Sequence, residues 1–171
     1  ENLDSREERF RVLKIYNNAL YDINPIIKAH NGFIDKYLPE GIMLVFDSSA
    51  KDVIKCMLKI EELIGKENVA RILSGKEKIT FASAVHYGRL MIGTIGEERR
   101  MDSTVISDAV NVASRLHFYA LQQKVSIFVS DEVKNNFEEN NEEGYVEFYH
   151  KSKVQIRGKD ETIDIYEVNK K

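Results

Sequence analysis

Apolar residues recur at every third or fourth position early in this chain and alternate with polar ones near its end. From about Glu7 to Ala29 they fall at Phe10, Leu13, Tyr16, Leu20, Ile23 and Ile27, a spacing that predicts a helix. Asp4 or Ser5 is placed to cap it, Pro25 predicts a kink or break late in it, and Asn31-Gly32 punctuates its end. Phe33–Leu38 and Ile42–Phe46 flank Pro39-Glu40-Gly41, which predicts a β-hairpin with the Glu40 carboxylate at its tip. Lys51 to about Leu73 reads as a second helix, with Gly65 as its weak point. Lys78–Tyr87 and Leu90–Ile95 read as strands turning at Gly88-Arg89. Ile106 to about Gln122 has helical periodicity, Val125–Val129 reads as a short buried strand, and Ser130-Asp131 caps a short helix to Phe137. Glu138–Glu143 reads as a solvated acidic loop, and the alternation from Thr162 to Val168 predicts a closing strand. Helices mixed with hairpins in this order predict an α+β sheet-and-helix domain.

The length of 171 residues fits one domain, and no repeat, low-complexity tract or linker divides it. With 43% hydrophobic and 31% charged residues and a formal net charge of −3, the composition gives no general attraction to nucleic acid. No nucleic-acid partner is expected. The single cysteine, Cys56, lies among Val53, Ile54, Met57 and Leu58, so a buried, inert thiol is expected. No apolar run approaches the roughly 18 residues of a membrane span, and no secretory leader pattern opens the chain. The start at Glu1 without an initiator Met leads us to expect a piece of a longer protein.

Several familiar sources of chemistry are missing. There is no Gly-rich dinucleotide fingerprint, no phosphate-binding Walker loop and no His pair at metal-ligand spacing. His30, His86, His117 and His150 are scattered, so surface or hydrogen-bonded structural roles are expected for them. The informative stretch is Arg100-Met-Asp-Ser-Thr-Val-Ile-Ser-Asp-Ala-Val-Asn-Val-Ala-Ser-Arg115-Leu116. Asp108, Asn111 and Arg115 fall at i, i+3 and i+7, which puts all three on one helix face. A guanidinium and an amide about one turn apart can clamp a phosphate and a ribose. On spacing alone, a solvated helix side accounts for the same residues.

The wording of that stretch resembles the class III adenylate/guanylate cyclase signature, Arg-Met-Asp-Tyr-Thr-Val-Ile-Gly-Asp-x-Val-Asn-x-Ala-Ser-Arg-Leu. Three other pieces follow in the family's order. His30–Phe46 resembles its metal-binding hairpin, Val85–Gly96 its central hairpin, and Ile156-Arg157-Gly-Lys159 with Tyr166-Glu-Val its C-terminal strand. The resemblance covers nearly the whole chain. It implies one catalytic domain over residues 1–171, a ferredoxin-like βαββαβ-type sheet-and-helix fold with a C-terminal strand extension. It also implies a head-to-tail homodimer whose active sites cross the interface.

The activity the resemblance implies is conversion of ATP to cyclic AMP and pyrophosphate with two divalent ions, Mg²⁺ or Mn²⁺. In that reading Asn111 orients the ribose and Arg115 neutralises charge developing at the α-phosphate. Lys36 and Thr104 take the base-reading positions, where this pair goes with adenine rather than guanine. Lys only donates, suiting a ring nitrogen of adenine, and Thr can accept from its amino group. Arg157 stands where a Lys usually holds the terminal phosphates. A regulatory domain is expected elsewhere in the parent chain, with this domain cytoplasmic and the parent open to membrane attachment.

Two departures bear on the metal. Glu40 follows Pro39 where the family has Asp after Gly, which keeps the charge but adds a methylene and stiffens the turn. Hard-oxygen metal sites tolerate such a shift poorly, Mg²⁺ sites above all. The family's first metal carboxylate lies upstream of residue 1, so an N-terminally truncated domain is expected, weak or inactive by itself. The alternative is a degenerate pseudo-cyclase that binds nucleotide or dimerises without turnover. A guanylate cyclase is a third reading, disfavoured by Lys36.

Overall fold

The computed structural model describes residues 6–38, 41–97, 100–139, 144–155 and 162–171. Helix α1 (Arg6–Ala29) forms where the spacing predicts it, and its Ile23 and Ile27 are buried. The expected break at Pro25 does not occur. Ile27 packs fully into the core, and His30 closes the last turn, its amide bonding the Ile27 carbonyl at 3.1 Å and Nδ1 the Ile26 carbonyl at 2.8 Å. Those contacts outweigh the donor that Pro25 lacks. Asn31, at φ 57°, then turns the chain out of the helix.

Strands β1 (Gly32–Leu38) and β2 (Gly41–Phe46) form the expected antiparallel hairpin, with a bulge between Ile34 and Lys36. Gly32 is required there, because a Cβ would lie 2.4 Å from the Phe46 ring. Helix α2 (Ala50–Leu73) is capped by Ser49 Oγ, which accepts from the Asp52 amide at 3.2 Å. It runs through Gly65 without a break. Its buried stripe of Val53, Ile54, Met57, Ile60 and Ile64 outweighs the cost of one exposed glycine, about 1 kcal/mol.

Strand β3 (Ser83–Val85) is much shorter than the predicted Lys78–Tyr87. The Asn68 side chain explains why: its Oδ1 accepts from the Ile79 amide at 2.7 Å and its Nδ2 donates to the Ile79 carbonyl at 2.9 Å. Backbone groups that a sheet neighbour would have satisfied are taken by α2 instead. Strands β4 (Met91–Glu97) and β5 (Arg100–Ile106) pair antiparallel, and β5 leads directly into helix α3 (Asp108–Gln123). Strand β6 (Ile127–Ser130), helix α4 (Asp131–Glu139) and strands β7 (Val146–Gln155) and β8 (Thr162–Lys170) complete the chain.

Among the described residues the main sheet has the order β3-β6-β8-β7, with β3 and β6 parallel and β8 antiparallel to both β6 and β7. Every residue of β6 is buried, and its alternation divides the core. Ile127 and Val129 face α1, α2 and α4, and this larger cluster also receives Ile42, Leu44 and Phe46 of the hairpin. Phe128 faces the other way, against Leu116 and Ala120 of α3 and Ile165 of β8. Helices thus cover both faces of the sheet. The succession α1, β1, β2, α2, β3 follows the helix-and-hairpin order of the expected unit, and the α+β class holds.

Candidate functional site

Helix α3 carries the chemistry, and its sequence fixes which side is open. Ala109, Val112, Leu116 and Ala120 are buried against the sheet, so Asn111 is left exposed and Arg115 half-buried one turn further on. Ser107 stands where the family signature has Gly, and it caps the helix. Its Oγ accepts from the Ala109 amide at 3.0 Å and donates to the Arg89 carbonyl. The Gly88-Arg89 turn is thereby fastened to the start of α3. Gly88 fits only because it has no side chain, as a Cβ would come 2.8 Å from Ala109 Cβ.

Arg115 reaches across to β7, where its Nη1 donates to the Gln155 carbonyl at 3.3 Å. An open cleft of about 730 Å³ lies beside it, lined by His117, Phe118 and Val154 among others. The β1–β2 hairpin approaches the same helix, since a Cβ on Gly41 would sit 3.8 Å from His117 Cε1. Thr104 lies on β5, opposite Gly93 of β4, and β5 is in contact with β1, which carries Lys36. One neighbourhood therefore brings together the strands of Lys36 and Thr104 and the helix that follows Thr104. Glu40 and Arg157 lie outside the described residues; Arg157 follows Gln155 by two positions in sequence.

Two clusters escape a reading by motif. At β1, the Asp35 side chain is fully buried and neither carboxylate oxygen has a hydrogen-bond donor. Lys36 Nζ is 3.2 Å from Asp35 Oδ2. At the other end of α3 a second cleft of about 570 Å³ is lined by His86, Arg89, Asp108, Asp131 and Glu132. His86 Nδ1 lies 2.9 Å from Ser130 Oγ and 3.5 Å from Glu132 Oε2. Burial first, and then the neighbouring Glu132, push the Asp131 carboxyl up to about 6. Among the described residues no three His, Cys, Asp or Glu side chains converge as a metal-ligand set. His30 and His150 have structural partners, the Ile26 carbonyl and the Asp164 carboxylate at 2.6 Å.

Known proteins share both the sequence and the shape. The family profile described as adenylate and guanylate cyclase catalytic domain matches residues 2–170. An adenylate cyclase of Anabaena cylindrica is 34% identical over 166 residues, 94% of this chain and 33% of its own. The chain therefore spans about a third of that relative's length. The adenylyl cyclase CyaB of P. aeruginosa superposes with a TM-score of 0.75 at 20% identity, over 94% of this chain and 83% of that one. A guanylyl cyclase, Cya2, superposes with a TM-score of 0.72 at 22% identity, over 92% of this chain and 79% of that one. One fold thus serves enzymes named for two different bases, and the choice of base must be made by side chains.

Proposed function

This chain belongs to the adenylate and guanylate cyclase catalytic-domain family, and we propose that it is the adenylate cyclase domain of a longer signalling protein. The observation that carries the proposal is the open face of α3. It presents Asn111 and Arg115 one turn apart, on the helix that follows β5, and β5 carries Thr104 and contacts β1, the strand of Lys36.

In the reaction the ribose 3′-oxygen attacks the α-phosphorus of ATP, its proton is released, and the bond to pyrophosphate breaks. Asn111 holds the ribose, and Arg115 neutralises the α-phosphate oxygens as charge builds on them. Lys36 and Thr104 read adenine, and Arg157 holds the terminal phosphates. Mg²⁺ or Mn²⁺ would supply Lewis-acid activation, with Glu40 as the carboxylate that this chain would offer it. Protomers pair head to tail, because the metal-binding and nucleotide-clamping residues of one site sit on different copies. Pro39-Glu40 favours one other reading, in which nucleotide binds without turnover.

Cyclic AMP formation by the full-length protein, with Mn²⁺ and with Mg²⁺, is the test. Arg115→Ala should lower turnover about 10²–10³-fold, as loss of one transition-state donor does. Nucleotide binding with no product in either metal would select the non-catalytic reading.

A further inference from the structure

A carboxylate without hydrogen-bond donors is costly to bury, and the structure keeps one at Asp35. Regular strand geometry would send Asp35 and Lys36 to opposite faces of the hairpin. The bulge between Ile34 and Lys36 cancels that alternation, so adjacent side chains converge and Lys36 Nζ comes 3.2 Å from Asp35 Oδ2. Among the described residues Lys36 is the cation that offsets the Asp35 charge. The Lys36 side chain is still 37% exposed, so its ammonium is anchored from below and open from above.

From this we propose that Asp35 is a positioning residue for base selection, acting through Lys36; the proposal rests on the adenylate cyclase reading above. An ammonium has three donors and a long flexible stem. Left free, it can donate to the ring nitrogen of adenine or swing to the carbonyl oxygen of guanine with equal ease. The Asp35 charge, 3.2 Å from Nζ, holds the ammonium in one place and so limits the directions in which its donors can point. The pin, rather than the charge of Lys36 alone, makes the position selective for adenine.

The test compares ATP and GTP, in binding and in turnover with Mn²⁺, for the full-length wild type, Asp35→Asn, Lys36→Met and the double variant. Asp35→Asn keeps the shape and removes the charge. It should raise KM for ATP about ten-fold with kcat little changed, and cut the ATP-over-GTP preference by a similar factor. In the Lys36→Met background the same substitution should add almost nothing, because the residue acts through Lys36. If Asp35→Asn does not fold, Asp35→Ser carries the same expectations. An unchanged preference, or an equal loss with and without Lys36, overturns the positioning role while leaving the cyclase reading intact. A wild type that binds neither nucleotide overturns both.

Discussion

Asp131 shows how a single side chain near the site sets a pH dependence. Its carboxyl stands at about 6 against an ordinary 3.8, through burial and the adjoining Glu132, so the folded state holds this proton more tightly than the unfolded chain. Stability from the group is therefore fully present below about 3.8 and is lost as pH rises through about 6. Asp131→Asn keeps an acceptor for the Glu132 amide, which Asp131 Oδ1 now takes at 3.2 Å. Thermal melts should show the variant more stable than wild type at neutral pH, with the gap closing as the buffer becomes acidic; a constant gap would refute the assignment. Cys56 makes the opposite kind of statement. It is fully buried and its thiol is pushed up to about 11, chiefly by burial, so thiol reagents should label it only after denaturation. That inert thiol was legible from its apolar neighbours. Asp35 was not, because a period of two assigns it to the face opposite Lys36 and only the bulge brings the two together.

At the scale of elements, Gly65 sits exposed inside α2 with nothing within 4 Å of a would-be Cβ. Gly65→Ala should stabilise the protein by about 0.5–1 kcal/mol, read as a higher denaturation midpoint with an unchanged slope. Gly88 looks alike in sequence and behaves in the opposite way. Its Cβ would press on Ala109, so Gly88→Ala should destabilise and also lower turnover by shifting the start of α3, which carries Asn111 and Arg115. Parallel melts and cyclic AMP assays distinguish the two glycines. The contrast also marks what the sequence could say about elements. Helices with long apolar stripes were legible almost to the residue, as at α2, because burial of the stripe decides them. Strands β5 and β7 were not, since partner strands and not their own alternation define them. The shortening of β3 depended on Asn68, eleven positions from Ile79, and no local pattern reports that bond.

For the whole molecule, the proposed division of each site between two copies can be tested by mixing variants. Glu40→Ala should disable the metal-binding side of a site, and Arg115→Ala the clamping side, so each homodimer of variant chains is inactive. Mixed together, they form heterodimers in which one site takes Glu40 from one chain and Arg115 from the other, while the second site carries both defects. With random pairing, half the dimers are mixed and each has one working site, so activity should return to about a quarter of wild type. Turnover of the wild type should also fall more steeply than concentration on dilution, as the dimer dissociates. Restoration on mixing supports a shared site with Glu40 on its metal side. Failure to restore activity, with each variant still dimeric by light scattering, would place both residues in one protomer's site. Full activity in the Glu40→Ala homodimer would instead remove Glu40 from the metal side and point to a carboxylate elsewhere in the parent protein.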